Sequence, residues 1–449
     1  MKMVVTLSFE VNIETDRAHA NEIFFAVNEA IKDGGSKMAL MVLESYQERV
    51  VDLLCSVSGR VAKKGLGGHE VKGGDGRKCR CRTFRRAGKW SDEKKLYGEL
   101  FSVKFRPAMV ECEGCGKRFT PVIDALELDA YQGRTDGLLR KVTEAVADTS
   151  YRRGSVQLDR VAEVPVPKST SHRWAAGVEF PVMESKGEPF LGADGTGFKR
   201  QPGEKGEVRM VLELGGSGGV RPIGVWAGTS WEDISKEVKK KLKGQPDLFI
   251  SDGERGLENW LGKLAKQSER CHWHLSRDSS YVLWEDGAPL DERKALKKKL
   301  NNLLAIEIPE KDVEFVTEDD KLEIGARIKA AEKEIDSLKE EFEEKGYEKA
   351  ATYLSNARDR LFNHLRLWLE TGIVGPRTTS IIENIIRELV RRLKKVGWNW
   401  SDKGAEKMGR LVMMRRYDKD AWEEFWRKKM NPQGRCQIKL VSYEAAAIT

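Results

Sequence analysis

Two stretches of this chain carry an apolar run straight into Asp-Gly: Phe190-Leu-Gly-Ala-Asp194-Gly-Thr-Gly197 and Pro246-Asp-Leu-Phe-Ile-Ser-Asp252-Gly253. The apolar runs read as strands, and each delivers an aspartate to its tip. A carboxylate there does not fill a core, because an unpaired buried charge costs several kcal/mol. One Asp-Gly alone is more often a turn; two equivalent copies, with Glu383 on a later helical pattern, make three separated acids that could converge on metal.

The surrounding pattern is α/β. Val208–Leu214 and Val220–Trp226 read as two further strands around a Gly-rich turn, next to a strand over 189–194. A basic amphipathic helix over 231–243 leads to strand 246–251. A helix over 254–267 leads to a short strand or strand end at Arg270-Cys-His-Trp-His274. Three antiparallel strands followed by helix, strand, helix, strand is the order of an RNase H-like sheet. Residues 280–372 are helical and strongly charged, with Ile324, Ile328, Ile335 and Leu338 at amphipathic spacing. That segment reads as a solvated bundle inserted into the core. Thr378, Thr379 and Ser380 then cap a helix with Glu383 in its first turn, where the dipole favours an anion. Glu383 could equally be half of a capping box, but such a box leaves the basic run behind it unexplained.

Upstream, the composition predicts two DNA-binding modules. Lys63, Lys64, Lys72, Arg77, Lys78, Arg80, Arg82, Arg85, Arg86 and Lys89 are interleaved with glycines. Cys79-Arg-Cys81 and Cys112-Glu-Gly-Cys115 lie in or beside this run, and two such pairs can give four thiolates to a structural zinc. The plain alternative is four reduced cysteines on strand ends. Residues 135–149, a helix opening at Tyr151, the Val164-Pro-Val-Pro167 break and a short helix from Ser169 resemble a helix-turn-helix. Ser169, Ser171, His172 and Arg173 would then meet base edges; an ordinary helical linker with a serine cap is the alternative. Ahead of these lie an alternating strand over 2–12 and two helical patterns, 15–32 and 36–56.

Seven segments result: a strand and helical segment (1–58), a basic Cys-rich region (59–130), the helix-turn-helix-like segment (131–185), the first part of the core (186–279), the helical insertion (280–372), the second part of the core (373–430) and a tail (431–449). The chain has 449 residues, with 79 basic and 71 acidic side chains and a formal charge of +8. That near balance permits a polyanionic partner without demanding one, so the clusters matter more than the sum. No stretch is apolar and long enough for a membrane span, and the N-terminus is too short in apolar residues for a signal peptide. An intracellular protein is expected, with its seven cysteines reduced.

Four motifs in this order are similar to those of DDE transposases of the Mutator-like superfamily, including its prokaryotic insertion-sequence members. They are Asp194-Gly-Thr, Ser251-Asp252-Gly, Cys271-His-Trp-His274 and Thr378-Thr-Ser-Ile-Ile-Glu383, the last with Ser380 where the family usually has Asn. The resemblance covers roughly residues 130–420. It implies DNA cleavage at element ends and strand transfer into target DNA, on two Mg²⁺ or Mn²⁺ ions. Asp194 would bridge both ions, Asp252 hold one and Glu383 the other. It also implies self-association to a dimer or more on paired ends, in a prokaryotic cytoplasm at the nucleoid. A domesticated DNA-binding regulator and an RNase H-like nuclease without strand transfer are the rivals. Lys199, Arg200, Arg377, Arg387, Arg391 and Arg392 are candidate phosphate contacts. Cys271 and His274 read as a structural or positioning pair. Trp398 and Trp400 could stack on a base or anchor the last helix.

Overall fold

The computed structural model describes residues 20–56, 68–69, 78–126, 128, 132–162, 164–216, 218–309, 316–396 and 399–430. The strand expected over 2–12, the cations Lys63, Lys64, Lys72 and Arg77, Trp398 and the 431–449 tail lie outside them. The chain divides into two compact units, residues 1–146, 151–175 and 429–449, and residues 147–150 and 176–428.

In the first unit, α1 (Ala20–Cys55) is one continuous helix where two were expected. Gly34 and Gly35 do not break it. The Phe101 ring lies against Gly35, where a Cβ would meet its Cε1 at 2.9 Å, so the glycine serves a close approach. Val50, Val51 and Leu54 pack on Phe84, Ala108 and Val110, and such burial outweighs the roughly 1 kcal/mol that each mid-helix glycine costs. The strands beneath are β1 (Phe84–Lys89), β2 (Lys94–Tyr97), β3 (Ser102–Phe105), β4 (Ala108–Cys112) and β5 (Arg118–Phe119), followed by α2 (Pro121–Ala125). They form an antiparallel β1-β4-β5 sheet and a β2-β3 hairpin. Three helices follow, α3 (Asp136–Asp148), α4 (Tyr151–Ala162) and α5 (Lys168–Ala176). Leu138, Val142 and Leu158 share a core with Val164 and Val166. Pro165 and Pro167 alternate with those valines and hold them out of helix.

The second unit is built on β6 (Phe190–Lys199), β7 (Lys205–Leu214), β8 (Val220–Ala227), α6 (Trp231–Lys241), β9 (Leu248–Ser251), α7 (Arg255–Trp260) and β10 (Gln267–Arg270). Its mixed sheet has the order β10-β9-β6-β7-β8. β6, β7 and β8 are antiparallel neighbours, while β9 and β10 run parallel to β6. The helix expected over 254–267 is only two short turns, since Ala265 enters an extended backbone ahead of β10. Alternation divides the sheet's faces. Leu191, Ala193, Val211 and Phe249 bury Trp231, Ile234 and Val238 of α6 on one side.

The helical insertion is α8 (His272–Glu285), α9 (Leu290–Leu304), α10 (Glu318–Glu344), α11 (Glu348–Ala357) and α12 (Asn363–Thr371). It has its own core, in which Ile324, Ile328, Ile335 and Leu338 are all buried. A Thr317–Asp320 capping box starts α10. The chain returns through α13 (Ser380–Leu389), a π-helical turn at Val390–Lys394, α14 (Asp402–Tyr417) and α15 (Lys419–Met430). Among the described residues, no helix is long and apolar enough to cross a membrane.

Candidate active site and metal-ligating clusters

The β6–β9 register determines where the two aspartates go. Gly192 pairs with Ile250, so Asp194 and Asp252, each two residues further on, leave the parallel pair at the same end and on the same face. Asp194 is not at a strand tip. β6 runs on to Lys199 against β7, with Asp194 opposite Met210, and the Asp-Gly turn alternative is excluded. Asp252 directly follows β9. Glu254 N–H donates to its Oδ1 at 3.0 Å, and Gly253 takes a left-handed φ of 96°. A side chain at Gly253 would run into the Arg270 guanidinium.

The third acid arrives through packing. α13 buries Ile382, Ile385, Ile386 and Leu389, a one-sided i, i+3, i+4, i+7 stripe. Ile382 presses onto Gly192, where a Cβ would lie 2.4 Å from its Cδ1. The missing side chain lets α13 approach the strand, and Glu383 follows Ile382 in sequence. Burial pushes the Asp194 carboxyl up to about 7 against the hydrogen bond from Gly195 N–H. The charges of Asp252 and Glu383 push the same way, and His274 opposes them. All three acids and His274 therefore act electrostatically on one place. Their carboxylates do not form a group within 4.8 Å of one another, unlike the two clusters below.

Cys271 and His274 stand directly behind Glu383. Cys271 is the N-cap of α8, and His272 already belongs to the helix, so the expected strand end is in fact a strand-to-helix junction. His274 Nδ1 lies 3.3 Å from Cys271 Sγ and 3.9 Å from Glu383 Oε1. Thr379 Oγ1 lies 3.3 Å from Cys271 Sγ, 3.1 Å from His274 Nδ1 and 3.1 Å from Glu383 Oε1. Its side chain makes no cap hydrogen bond, which removes the capping-box account of Glu383. Burial works against a Cys271 thiolate, yet hydrogen bonds from His274 and Thr379 bring the thiol down to about 7. Burial also opposes an imidazolium at His274, but Cys271 raises its pKa on balance. Thr379 is the site residue whose role the sequence hid, since it read as a cap.

The candidate phosphate contacts fall into different settings. Lys199, Arg377 and Arg387 are exposed. Arg391 is exposed and pairs with Glu388 at 3.0 Å. Arg200 is engaged by Asp402, which ties the end of β6 to α14. Arg392 requires correction: it is only 1% exposed and lies over the ring of Trp400, itself buried. In the first unit Ser169, His172 and Arg173 are exposed. Ser171 is fully buried and bonds Ser155 Oγ at 3.1 Å, so it packs α5 on α4 and faces no solvent.

Two clusters have metal-like spacing. His69, Cys79, Cys112 and Cys115 bring their ligand atoms within 4.8 Å of one another. This Cys₃His set corrects the expected four-thiol set, because His69 takes the place of Cys81. The Cys81 thiol instead bonds Thr83 Oγ1 at 3.2 Å, and hydrogen bonds from Thr83 lower it to about 7. Cys79 Sγ–Cys112 Sγ is 3.9 Å and His69 Nε2–Cys115 Sγ is 3.4 Å. A tetrahedron with Zn–S bonds of about 2.3 Å has edges of roughly 3.8 Å, so the cluster is compatible with structural zinc. Gly116, at φ 67°, closes the knuckle by donating to Cys112 O at 2.8 Å. The second cluster, Glu269, His272 and His364, is buried and satisfied internally. Glu269 accepts from the His364 backbone N–H at 2.9 Å and lies 3.1 Å from both His272 Nε2 and His364 Nδ1.

No protein-family model matches the chain, and no curated protein matches it.

Proposed function

We propose that the chain is a metal-dependent DNA transposase of the DDE type, similar to Mutator-like enzymes, that cleaves element ends and joins them to target DNA. The observation that carries this reading is that Asp194 on β6 and Asp252 after β9 leave the sheet at one end, and that the charges of Asp252 and of Glu383 on α13 both raise the Asp194 pKa. The strand order β10-β9-β6-β7-β8, antiparallel on one side of β6 and parallel on the other, supports an RNase H-like core.

Asp194, Asp252 and Glu383 are hard oxygen ligands that suit Mg²⁺ or Mn²⁺. When bound, a pair of such ions supplies Lewis acidity to both the attacking and the leaving oxygen of a phosphodiester. The protein's own contribution is placement. Gly195 N–H orients Asp194, Glu254 N–H orients Asp252, and Thr379 with His274 orients Glu383. The exposed cations Lys199, Arg377 and Arg387 offer phosphate contacts. Helices α3–α5, with Ser169, His172 and Arg173 exposed on the third, support a helix-turn-helix reading. The Cys₃His cluster supports a structural zinc in the basic module. Self-association on paired ends, within a prokaryotic cytoplasm, belongs to the same reading.

The test is incubation with labelled DNA taken from either flank of the gene, in Mg²⁺ or Mn²⁺. Joined products support transposition. Cut products alone would indicate a nuclease, and binding alone a regulator. Asp194→Asn, Asp252→Asn and Glu383→Gln should each reduce cleavage at least a thousandfold while end binding stays within about twofold, because neutral isosteres remove ligands and leave the fold intact. Lost binding would mean that the acids are structural.

A further inference from the structure

A cavity of about 450 Å³ opens between α8, α9 and the loop before α13, lined by Trp273, Arg277, Lys297, Asn301, Arg377 and Thr378 among others. We propose that it binds an unpaired stretch of DNA, one or two nucleotides long, beside the acidic site. The proposal deepens the DNA-processing reading and rests on it.

Trp273 lies between His272 and His274, which are buried, and it is 51% exposed. It therefore faces outward from the turn that carries the Cys271–His274 pair. Tyr281 and Trp284, 64% and 61% exposed, continue down α8. Positions 273, 277, 281 and 284 advance by four, four and three residues, so they form one helix face. Three large aromatic groups aligned in solvent are a poor solution for a helix with no partner. The same face is cationic. Arg277 lies over the Trp273 ring at 4.8 Å, although Asp278, 2.6 Å from its Nε, offsets part of its charge. Across the groove, Lys297 and Arg377 line the cavity and have no carboxylate partner among the described residues.

An exposed indole flanked by unpaired cations suits a base with its phosphates, because stacking tolerates any base and the cations track the backbone. The volume fits a single strand. It is in the range that holds a small ligand, which accommodates a nucleotide or two but not a duplex. The location agrees: Thr378 in the lining precedes Thr379, which bonds Glu383, and bases next to a cut phosphodiester must leave their stack to enter a cavity of this size. Trp400, singled out in the sequence for this role, is buried under Arg392, and Trp273 is the available platform.

The experiment measures full-length protein, without added Mg²⁺ or Mn²⁺, against a fluorescent oligo-dT 20-mer and a duplex of equal length, by anisotropy. Trp273→Ala and Lys297→Glu should each weaken single-strand binding about tenfold, with duplex binding changed less than twofold. Trp273→Phe should restore most of the loss, which a misfolded variant would not allow. A 5-iodouracil oligonucleotide should crosslink to the peptide containing Trp273. The proposal is overturned if Trp273→Ala leaves single-strand binding unchanged, if both substrates weaken equally, or if the variant alters self-association instead. Because no Mg²⁺ or Mn²⁺ is supplied, the result is independent of catalysis. Loss of single-strand binding in a chain that neither cuts nor joins DNA would keep the groove and remove the transposase reading. Active chain with unaffected Trp273→Ala binding would do the reverse.

Discussion

The Thr379 hydroxyl lies within hydrogen-bond reach of Cys271, His274 and Glu383, and can donate to the thiol or the carboxylate. Whichever it donates to, the hydroxyl oxygen stays at the centre and keeps the carboxylate, imidazole and thiol in one arrangement. Under the proposed function, this arrangement would hold Glu383 in place before an ion arrives. Asp194 shows the electrostatic counterpart. Its carboxyl titrates at about 7 because burial and the two neighbouring acids disfavour its charge. The folded value lies above the ordinary carboxylate value, so the fold holds the proton more tightly than the unfolded chain does. The associated stability is fully present below about pH 4, declines between pH 4 and 7, and is gone above 7. Asp194→Asn should therefore raise the metal-free Tm at pH 8 by several degrees, and by less at pH 5, in a differential scanning fluorimetry series. Mg²⁺ or Mn²⁺ should stabilise the natural protein more at pH 8 than at pH 6, since the ion displaces that proton. Equal gains for the variant at both pH values would show that Asp194 is not held in this state.

Short-range chemistry was the most legible part of the elements. The apolar runs gave β6 to β9, the amphipathic spacing gave α10, and the Thr378–Ser380 cluster marked the start of α13. Boundaries shifted where distant packing took over: the Phe101–Gly35 contact carries α1 through a glycine pair, and pairing with β7 draws β6 past Asp194. The Cys-x-x-Cys knuckle was readable because its ligands are adjacent, whereas His69 sits alone in a glycine-rich stretch with no spacing signal. Its role emerges only where its ring stacks on Phe119 at 4.8 Å and turns Nε2 to Cys115. Full-length protein should carry about one zinc per chain by inductively coupled plasma mass spectrometry. His69→Ala and Cys112→Ser should each lose most of it, and Cys81→Ser should retain it. Retention in His69→Ala with loss in Cys81→Ser would restore the four-thiol arrangement.

Across the second unit, the sheet and the helical insertion are joined by a buried carboxylate that no motif announced. Glu269, on β10, is wholly enclosed and bonded to His272 at the start of α8 and His364 on α12. Burial alone would raise its pKa, but the charge of His364 and the hydrogen bonds of both imidazoles outweigh it and hold the carboxyl below the usual range. A depressed folded value contributes stability above the unfolded pKa and loses it as the pH falls through the folded one. The sequence could not reveal this, because residues 269 and 364 are separated by the whole insertion and neither sits in a recognisable pattern. Removing one member of such a group leaves the others buried without a partner, which costs roughly 3–5 kcal/mol. Glu269→Gln should thus lower Tm at pH 7 by roughly 10 °C, with the gap to the natural protein narrowing below about pH 4, and amide exchange should rise first in α12. An unchanged Tm at neutral pH would mean that the insertion is held to the sheet by its apolar contacts alone, leaving the orientation of α8, and with it His274 behind Glu383, to depend on packing.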